Sequence, residues 1–277
     1  MMKEDLIALK KFYLQAVAQI PADSFFHESI NHKFCHSVAV WQTGRKIMTQ
    51  TPELADIDAE FKTLAERALL FHDVGRFHEA VCRYRAMQQK ISVSAASNKY
   101  DHGFIGYDLL KDLPPYNDLR ILLAIKYHSK MMEEVRASEL WQQAEQSPLG
   151  DDAKKILYLV RDADKLANLE VIKTQNHLQH DIFFKLLSDE ARHAPISAVV
   201  WQQFLARQTI LFTDLHSFAD RILMVLSWIF DLNYQYTKKA FISDGYARFL
   251  LNELAKYHPN NNDLNRITLL ISSIFIK

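Results

Sequence analysis

Along most of the 277 residues apolar positions recur every three to four residues, and nowhere is there sustained alternation bounded by Asn-Gly or Gly-Gly turns. That period belongs to helices with one buried face. It predicts helices near residues 3–20, 30–49, 56–74, 102–111, 117–130, 151–174, 181–193, 196–211, 213–242, 245–257 and 263–276. The breaks between them are Pro21, Pro52, Pro114-Pro115, Pro148-Leu149-Gly150, Pro195 and Pro259-Asn260-Asn261-Asn262, which stop helices or favour turns. Asp151 and Asp263 each follow a break and suit capping or first-turn positions. The period is weakest between residues 78 and 101, where KISVSAASNKYD reads as a loop. The expectation is an all-α fold without internal repeats.

Composition sharpens this. The chain has 6 glycines, where the usual frequency of about 7% would give roughly 19. With 49% hydrophobic and 24% charged residues it is an ordinary globular sequence, which excludes disordered, collagen-like and low-complexity classes. Thirty-three basic and 33 acidic residues cancel, so no global field holds nucleic acid or an anionic membrane non-specifically. An anionic ligand therefore needs a local site. Cys35 and Cys82 cannot form a disulfide framework and are expected to be buried, inert thiols in a reducing compartment. The N-terminal stretch mixes charge with apolar residues, unlike a signal peptide. The apolar run from Ile222 to Phe230, bounded by Arg221 and Asp231, falls short of the ~20 residues that span a bilayer. A cytoplasmic protein is expected.

Several polar residues occupy positions where the period calls for apolar ones. Phe61, Ala65, Ala68, Leu69 and His72 form one stripe, and Asp73 adjoins it. His36 shares a face with Val40 and Ile47, His102 with Ile105 and Leu109, and His128 with Ile121 and Ile125. Burying such groups is costly unless they are paired or bind metal. In LVRDADKLANLE, Asp162 and Asp164 lie about 200° apart around a helix. Projecting the segment puts its apolar face about 70° from Asp164 and about 125° from Asp162. Asp164 is the better ligand candidate, and Asp162 is expected to be solvated or to support a ligand. The ordered set is His36, His72-Asp73, His102, His128 and Asp164. Six ligands exceed what one tetrahedral zinc accepts and suit two ions of higher coordination, with one Asp able to bridge them.

The order H…HD…H…H…D, together with ALLFHDVGRFHEA, resembles the HD-domain metal-dependent phosphohydrolase superfamily, in particular its HDIG-type members, over about residues 30–172. DHGFIGYDLL around His102 and Asp-Ala-Asp-Lys-Leu around Asp164 are also similar to the family, whereas the Gly-Tyr-Pro motif of its cyclic-di-GMP-degrading branch has no counterpart. The resemblance implies an HD helical bundle over residues 1–175, followed by a C-terminal helical extension, 176–277, packed on the core or against a second subunit in a homodimer. It implies one divalent ion held by His36, His72, Asp73 and Asp164 and another by Asp73, His102 and His128, with Fe, Mn, Co, Zn, Ni and Mg all compatible. The implied reaction is hydrolysis of a small phosphoester or nucleotide by a metal-bridging hydroxide. Asp73 and Arg76 would be its catalytic residues.

Around this set, Arg76 is either a phosphate contact or a structural ion pair, with Gly75 letting the backbone turn close to a ligand. Lys165, Arg161 and Lys126 are candidate substrate contacts, each weighed against a solvated or structural role, and Lys130 could join Lys126 in a cationic rim. Asp101 caps the helix after it or orients His102. His32, and His78 with Glu79, are minor candidates; His27, His177, His180, His193, His216 and His258 read as background. Phe218, Ile222, Val225, Ile229 and Leu232 repeat at helical spacing as core. Two other readings share the ligands: a di-iron oxygenase resembling myo-inositol oxygenase, and a non-catalytic nucleotide-sensing module.

Overall fold

The computed structural model describes residues 2–91, 100–175, 177–179 and 182–275, in which helices are joined by turns and irregular segments and no strand occurs. Two compact units divide the chain, Met1–Ala167 and Asn168–Lys277. The first holds α1 (Met2–Val17), α2 (Phe25–Gln50), α3 (Ala59–Phe71), α4 (Val74–Gln88), α5 (His102–Leu110), α6 (Leu119–Tyr127), α7 (Met132–Arg136), α8 (Glu139–Glu145) and most of α9 (Gly150–Gln175). The second holds the end of α9, then α10 (Ile182–Leu186), α11 (Asp189–His193), α12 (Ala198–Leu205), α13 (Phe218–Ser227), α14 (Gln235–Ser243), α15 (Tyr246–Tyr257) and α16 (Asn261–Ser272). None of these helices is long and apolar enough to cross a membrane.

Short polar side chains start the helices that carry the first unit. Ser24, Asp58, Asp101 and Asp118 each accept a hydrogen bond from a backbone N–H in the first turn of α2, α3, α5 and α6. These bonds satisfy donors that a helix end leaves open. Inside the unit α2 packs on α3 and α4, α4 on α5, α5 on α6, and α3 on α6. Their shared faces bury Ile30, Ile47, Leu69, Leu70, Phe71 and Phe77. Glycine allows the closest crossings. A Cβ on Gly75 would collide with the backbone of His102, and one on Gly103 with the backbone of Lys126. The two glycines thus bring α4, α5 and α6 to backbone contact.

In the second unit α13 is the central element, packed against α11, α12 and α15. Phe218, Ile222, Val225 and Ile229 are fully buried and Leu232 nearly so, as their spacing suggested. Buried Asp220 completes a capping box with Ser217 and accepts from the backbone N–H groups of Ser197, His216 and Ser217 at 2.7, 3.0 and 3.2 Å. This buried carboxylate is explained without a metal.

Several elements differ from the sequence expectation. The stretch read as weak or loop-like from residue 78 is helical through Gln88, and residues 92–99 of KISVSAASNKYD lie outside the described residues. Its thin apolar stripe, Phe77, Ala80, Val81 and Ala86 among charged neighbours, masked the period. The helix expected over 213–242 is divided by a 3-10 turn at Trp228–Asp231 and extended backbone at Leu232, where Asp-Leu-Asn competes poorly for helix. Helices α7 and α8, five and seven residues long, are too short to show a period. The segments expected at 181–193 and 196–211 are likewise shorter pieces, α10 to α12. Asp151 and Asp263 occupy first turns, with Asn260 the cap of α16. Cys35 is exposed and Cys82 half-buried, contrary to the expected burial, because Cys35 lies on the outward face of α2. Gly75 sits in α4 without positive φ, so its role is close packing rather than a turn.

Candidate metal centre

The helix expected to run through residue 74 stops before the HD pair. Phe71 ends α3, His72 is its C-cap, and Asp73 stands at the N-cap of α4 with φ −102° and ψ 15°. Asp73 nevertheless makes no capping bond, which leaves its carboxylate available to the site. His102 is the first residue of α5 and His128 the C-cap of α6. Only His36 and Asp164 lie within long helices, so the expectation that each ligand sits on a helix face is corrected: four of the six stand at helix ends. There the backbone turns, and adjacent residues such as His72 and Asp73 can face one point.

These residues converge. Asp73 Oδ2 lies 3.9 Å from His36 Nε2 and 3.7 Å from His72 Nε2. Its other oxygen, Oδ1, lies 3.4 Å from His102 Nε2 and 3.6 Å from His128 Nε2. One carboxylate therefore presents an oxygen to each of two imidazole pairs. Asp164 closes the first set, with Oδ1 accepting from His36 Nε2 at 2.8 Å and 3.8 Å from His72 Nε2. In the second set His102 and His128 meet through their Nε2 atoms at 3.1 Å. The donor atoms of His36, His72 and Asp164 lie within 4.8 Å of one another, as do those of His72, Asp73 and His128, spacings that could hold a metal ion. All are buried except Asp164, whose side chain is 24% exposed.

Tautomers follow from the second ring nitrogens. His72 Nδ1 donates to the Leu69 carbonyl at 2.9 Å and His128 Nδ1 to the Ile125 carbonyl at 3.0 Å, each three residues back. A carbonyl only accepts, so in the neutral rings the Nε2 lone pairs face the site. His72 Nε2 is buried without a hydrogen-bond partner, which is the condition of a ligand atom facing a metal position. Burial lowers the His72 pKa to about 4. Burial, helped by Arg76, likewise holds His102 well below the usual range. Burial opposes ionisation of Asp73, but Lys33, His72, His128 and Arg76 together keep its carboxyl well below the ordinary value. Burial raises Asp164 as well, and His36 and His72 outweigh it, leaving the carboxyl lowered. The site thus offers neutral His72 and His102 rings and ionised carboxylates at Asp73 and Asp164, protonation states that metal ligation needs.

Cations border Asp73. Lys33 Nζ is 3.0 Å from its Oδ2 and Arg76 Nε 3.6 Å from its Oδ1. Arg76 Nη1 also donates to Glu79 Oε2 at 2.8 Å, while Arg83 Nε donates to Glu79 Oε1 at 2.8 Å. Lys33 was missed in the sequence; its signal was the three-residue spacing to His36, which places both on one face of α2. Buried Glu79 holds two guanidinium groups, whereas His78 and His32 are exposed.

Other candidates have different placements. Arg161, considered for substrate contact, is buried, and its Nη1 donates to the carbonyls of Tyr127, His128 and Lys130 at 3.4, 3.0 and 2.6 Å. It braces the backbone that carries His128. Lys126 Nζ lies over the rings of Phe104, Tyr107 and Tyr127 at 4.8, 4.3 and 5.5 Å. Lys165 is half-buried. Asp101 caps α5 and pairs with Lys130 at 2.8 Å, tying the start of the His102 helix to the segment after His128. Asp162, expected to be solvated or supporting, is fully buried and so not solvated. In α9 burial extends past the apolar arc of Ile156, Leu157, Leu159, Val160 and Ala163 to Arg161 and Asp162, so projecting the apolar face understates what is buried.

Residues 34–169 match the family model described as the HD domain. No curated protein and no solved structure matches the chain.

Proposed function

We propose that this chain, whose residues 34–169 match the HD-domain family, a family made up mostly of metal-dependent hydrolases, is a metal-dependent phosphohydrolase acting on a small phosphoester. The observation that carries the reading is the division of the Asp73 carboxylate, Oδ2 toward His36 and His72 and Oδ1 toward His102 and His128. A carboxylate so placed suits a shared ligand of two ions. His36, His72, Asp73 and Asp164 would hold one, and Asp73, His102 and His128 the other. When bound, such a pair supplies Lewis acidity toward phosphoryl oxygens and lowers the pKa of water toward neutrality.

The chain's own residues do the rest. Hydrolysis adds water across the ester P–O bond and releases an alcohol and phosphate, and it depends mainly on positioning and on stabilising charge at the phosphoryl oxygens. Arg76 and Lys33 stand beside Asp73 to supply that charge. The bond to Glu79 fixes the Arg76 fork, so less freedom is lost when it meets an anion. Burial keeps the His72 and His102 rings neutral, with their carbonyl and imidazole partners orienting them.

Metal analysis of the purified chain combined with a phosphoester panel tests this. Divalent ions are expected to approach two per chain, with phosphate release in added Mn, Co, Fe or Mg. Asp73→Ala should lose both, with kcat/KM down by about 10³ or more. Undiminished phosphate release in a metal-free Asp73→Ala protein would overturn the reading, as would a metal-loaded wild type inactive on every phosphoester.

A further inference from the structure

The second unit holds an opening that no residue of the metal centre lines. Helices α15 and α16 follow one another through residues 258–260, and each buries one apolar side, with Leu250 and Leu254 on the first and Ile267 and Ile271 on the second. Helix α15 packs closely on α13 and α14. Between its first turns and the last turns of α16 a groove of about 250 Å3 remains. The floor is apolar: Ala247 and Ile271 are buried and Leu251 is half-buried, while exposed Ile242 from α14 closes one side.

The rim is polar. Arg248 and Asn252, four residues apart on α15, and Thr268 and Ser272, four apart on α16, border the groove and are exposed. Thr268 directs its hydroxyl proton to its own helix, donating to the Leu264 carbonyl at 2.8 Å. The side chains of Arg248, Asn252 and Ser272 have no hydrogen bond, ion pair or ring contact among the described residues. Each of the three is a donor. Arg67, Arg76, Arg83 and Arg120 all pair with carboxylates, whereas no acidic residue borders this groove. It therefore combines one positive charge and three uncommitted donors with an apolar floor.

Charge and size decide the occupant. A single cation matches a monoanion, a dianion would keep one charge unmatched, and an ammonium group would find no carboxylate. At about 30 Å3 per water-sized group the groove has room for roughly eight such groups, the size of hexanoate. Hydrocarbon laid on Leu251 and Ile271 leaves water, which favours an aliphatic body over a polar one. We propose that the groove binds a small aliphatic monocarboxylate, with the carboxylate on Arg248, Asn252 and Ser272 and the tail on the apolar floor. This site is independent of the phosphohydrolase reading.

Calorimetric titration of the full chain with hexanoate tests it. Saturable binding of one hexanoate per chain is expected, with Kd below about 1 mM. Hexanol, of equal length but uncharged, should bind about tenfold more weakly. Arg248→Gln should weaken hexanoate by a similar factor and leave hexanol unchanged, and Ile242→Ser should weaken both. Both positions are exposed, so both variants should melt close to the wild type. Asp73→Ala should bind hexanoate as the wild type does, which separates the groove from any carboxylate held by a metal ion. The site is overturned if hexanoate shows no saturable binding up to about 10 mM, or if hexanol binds equally well. It is also overturned if Arg248→Gln changes nothing or Asp73→Ala abolishes binding. A dimer in solution that Ile242→Ser converts to monomer would show the groove covered by a second copy, and would overturn it too.

Discussion

His72 and His128 reach the centre by the same local device: each ring is anchored through Nδ1 to the carbonyl three residues back, and each Nε2 faces inward. Arg161 adds a brace behind one of them, because its Nη1 gathers the carbonyls of Tyr127, His128 and Lys130 where α6 ends. Arg161→Met preserves bulk but leaves those carbonyls without their charged donor. Stability should fall by about 3 kcal/mol, and bound metal should fall toward one ion per chain; denaturant unfolding and metal analysis read the two effects. Unchanged values in both would show that Arg161 does not brace His128. Among the proposed ligands, His36, His72, Asp73, His102 and His128 could be picked out because polar residues interrupted or adjoined apolar stripes. Lys33 could not, since a charged residue on a helix looks solvated until its partner from another helix is known, and Glu79 stood out only as a minor candidate beside His78. Asp162 misled for a related reason: α9 is buried on more than one side, and a projection assumes one buried face.

At the scale of helices, the site depends on how closely three of them approach. Gly75 lies against the backbone of His102, so Gly75→Ala must force α4 and α5 apart. A cost of about 1–3 kcal/mol is expected from overpacking, with a lower Tm and reduced metal content. An unaltered melting curve would mean that the crossing yields without cost. Helix α6 is held at its other end by Asp118, which accepts from Arg120 N at 2.8 Å and pairs with the Arg120 guanidinium. Burial raises the Asp118 pKa, but the Arg120 bonds outweigh it and the folded value lies below the ordinary one. Its stabilisation is therefore fully present above about pH 4 and disappears as pH falls through the lower folded value. Asp118→Ala should cost about 1 kcal/mol near neutrality, and the gap from wild type should narrow only in acid, as urea midpoints across that range would show. A gap that instead narrowed on going alkaline would contradict the sign. Which elements exist was largely legible, whereas their ends were not. The step at His72-Asp73 contains neither proline nor glycine, and it ends α3 because tertiary contacts reward the turn.

Across the whole molecule, all six proposed ligands fall within Met1–Ala167, and the boundary to Asn168–Lys277 lies inside α9, three residues after Asp164. Whatever binds the native centre stabilises the elements that supply it. Adding a divalent metal should slow amide hydrogen exchange in α2 to α6 and in the part of α9 around Asp164, with α13, α15 and α16 unaffected. Equal slowing everywhere, read by mass spectrometry of peptides, would show that the two units respond as one. The sequence expectation set the end of the first domain at residue 175, which is where α9 stops. The glycines at 75 and 103 have a bearing on kinship as well. A descendant could keep every histidine and aspartate of the set, replace these two small residues, and lose the geometry while still spelling the motif. Inheritance of the centre is therefore better traced through eight positions than through six, since two of them contribute no donor atom at all.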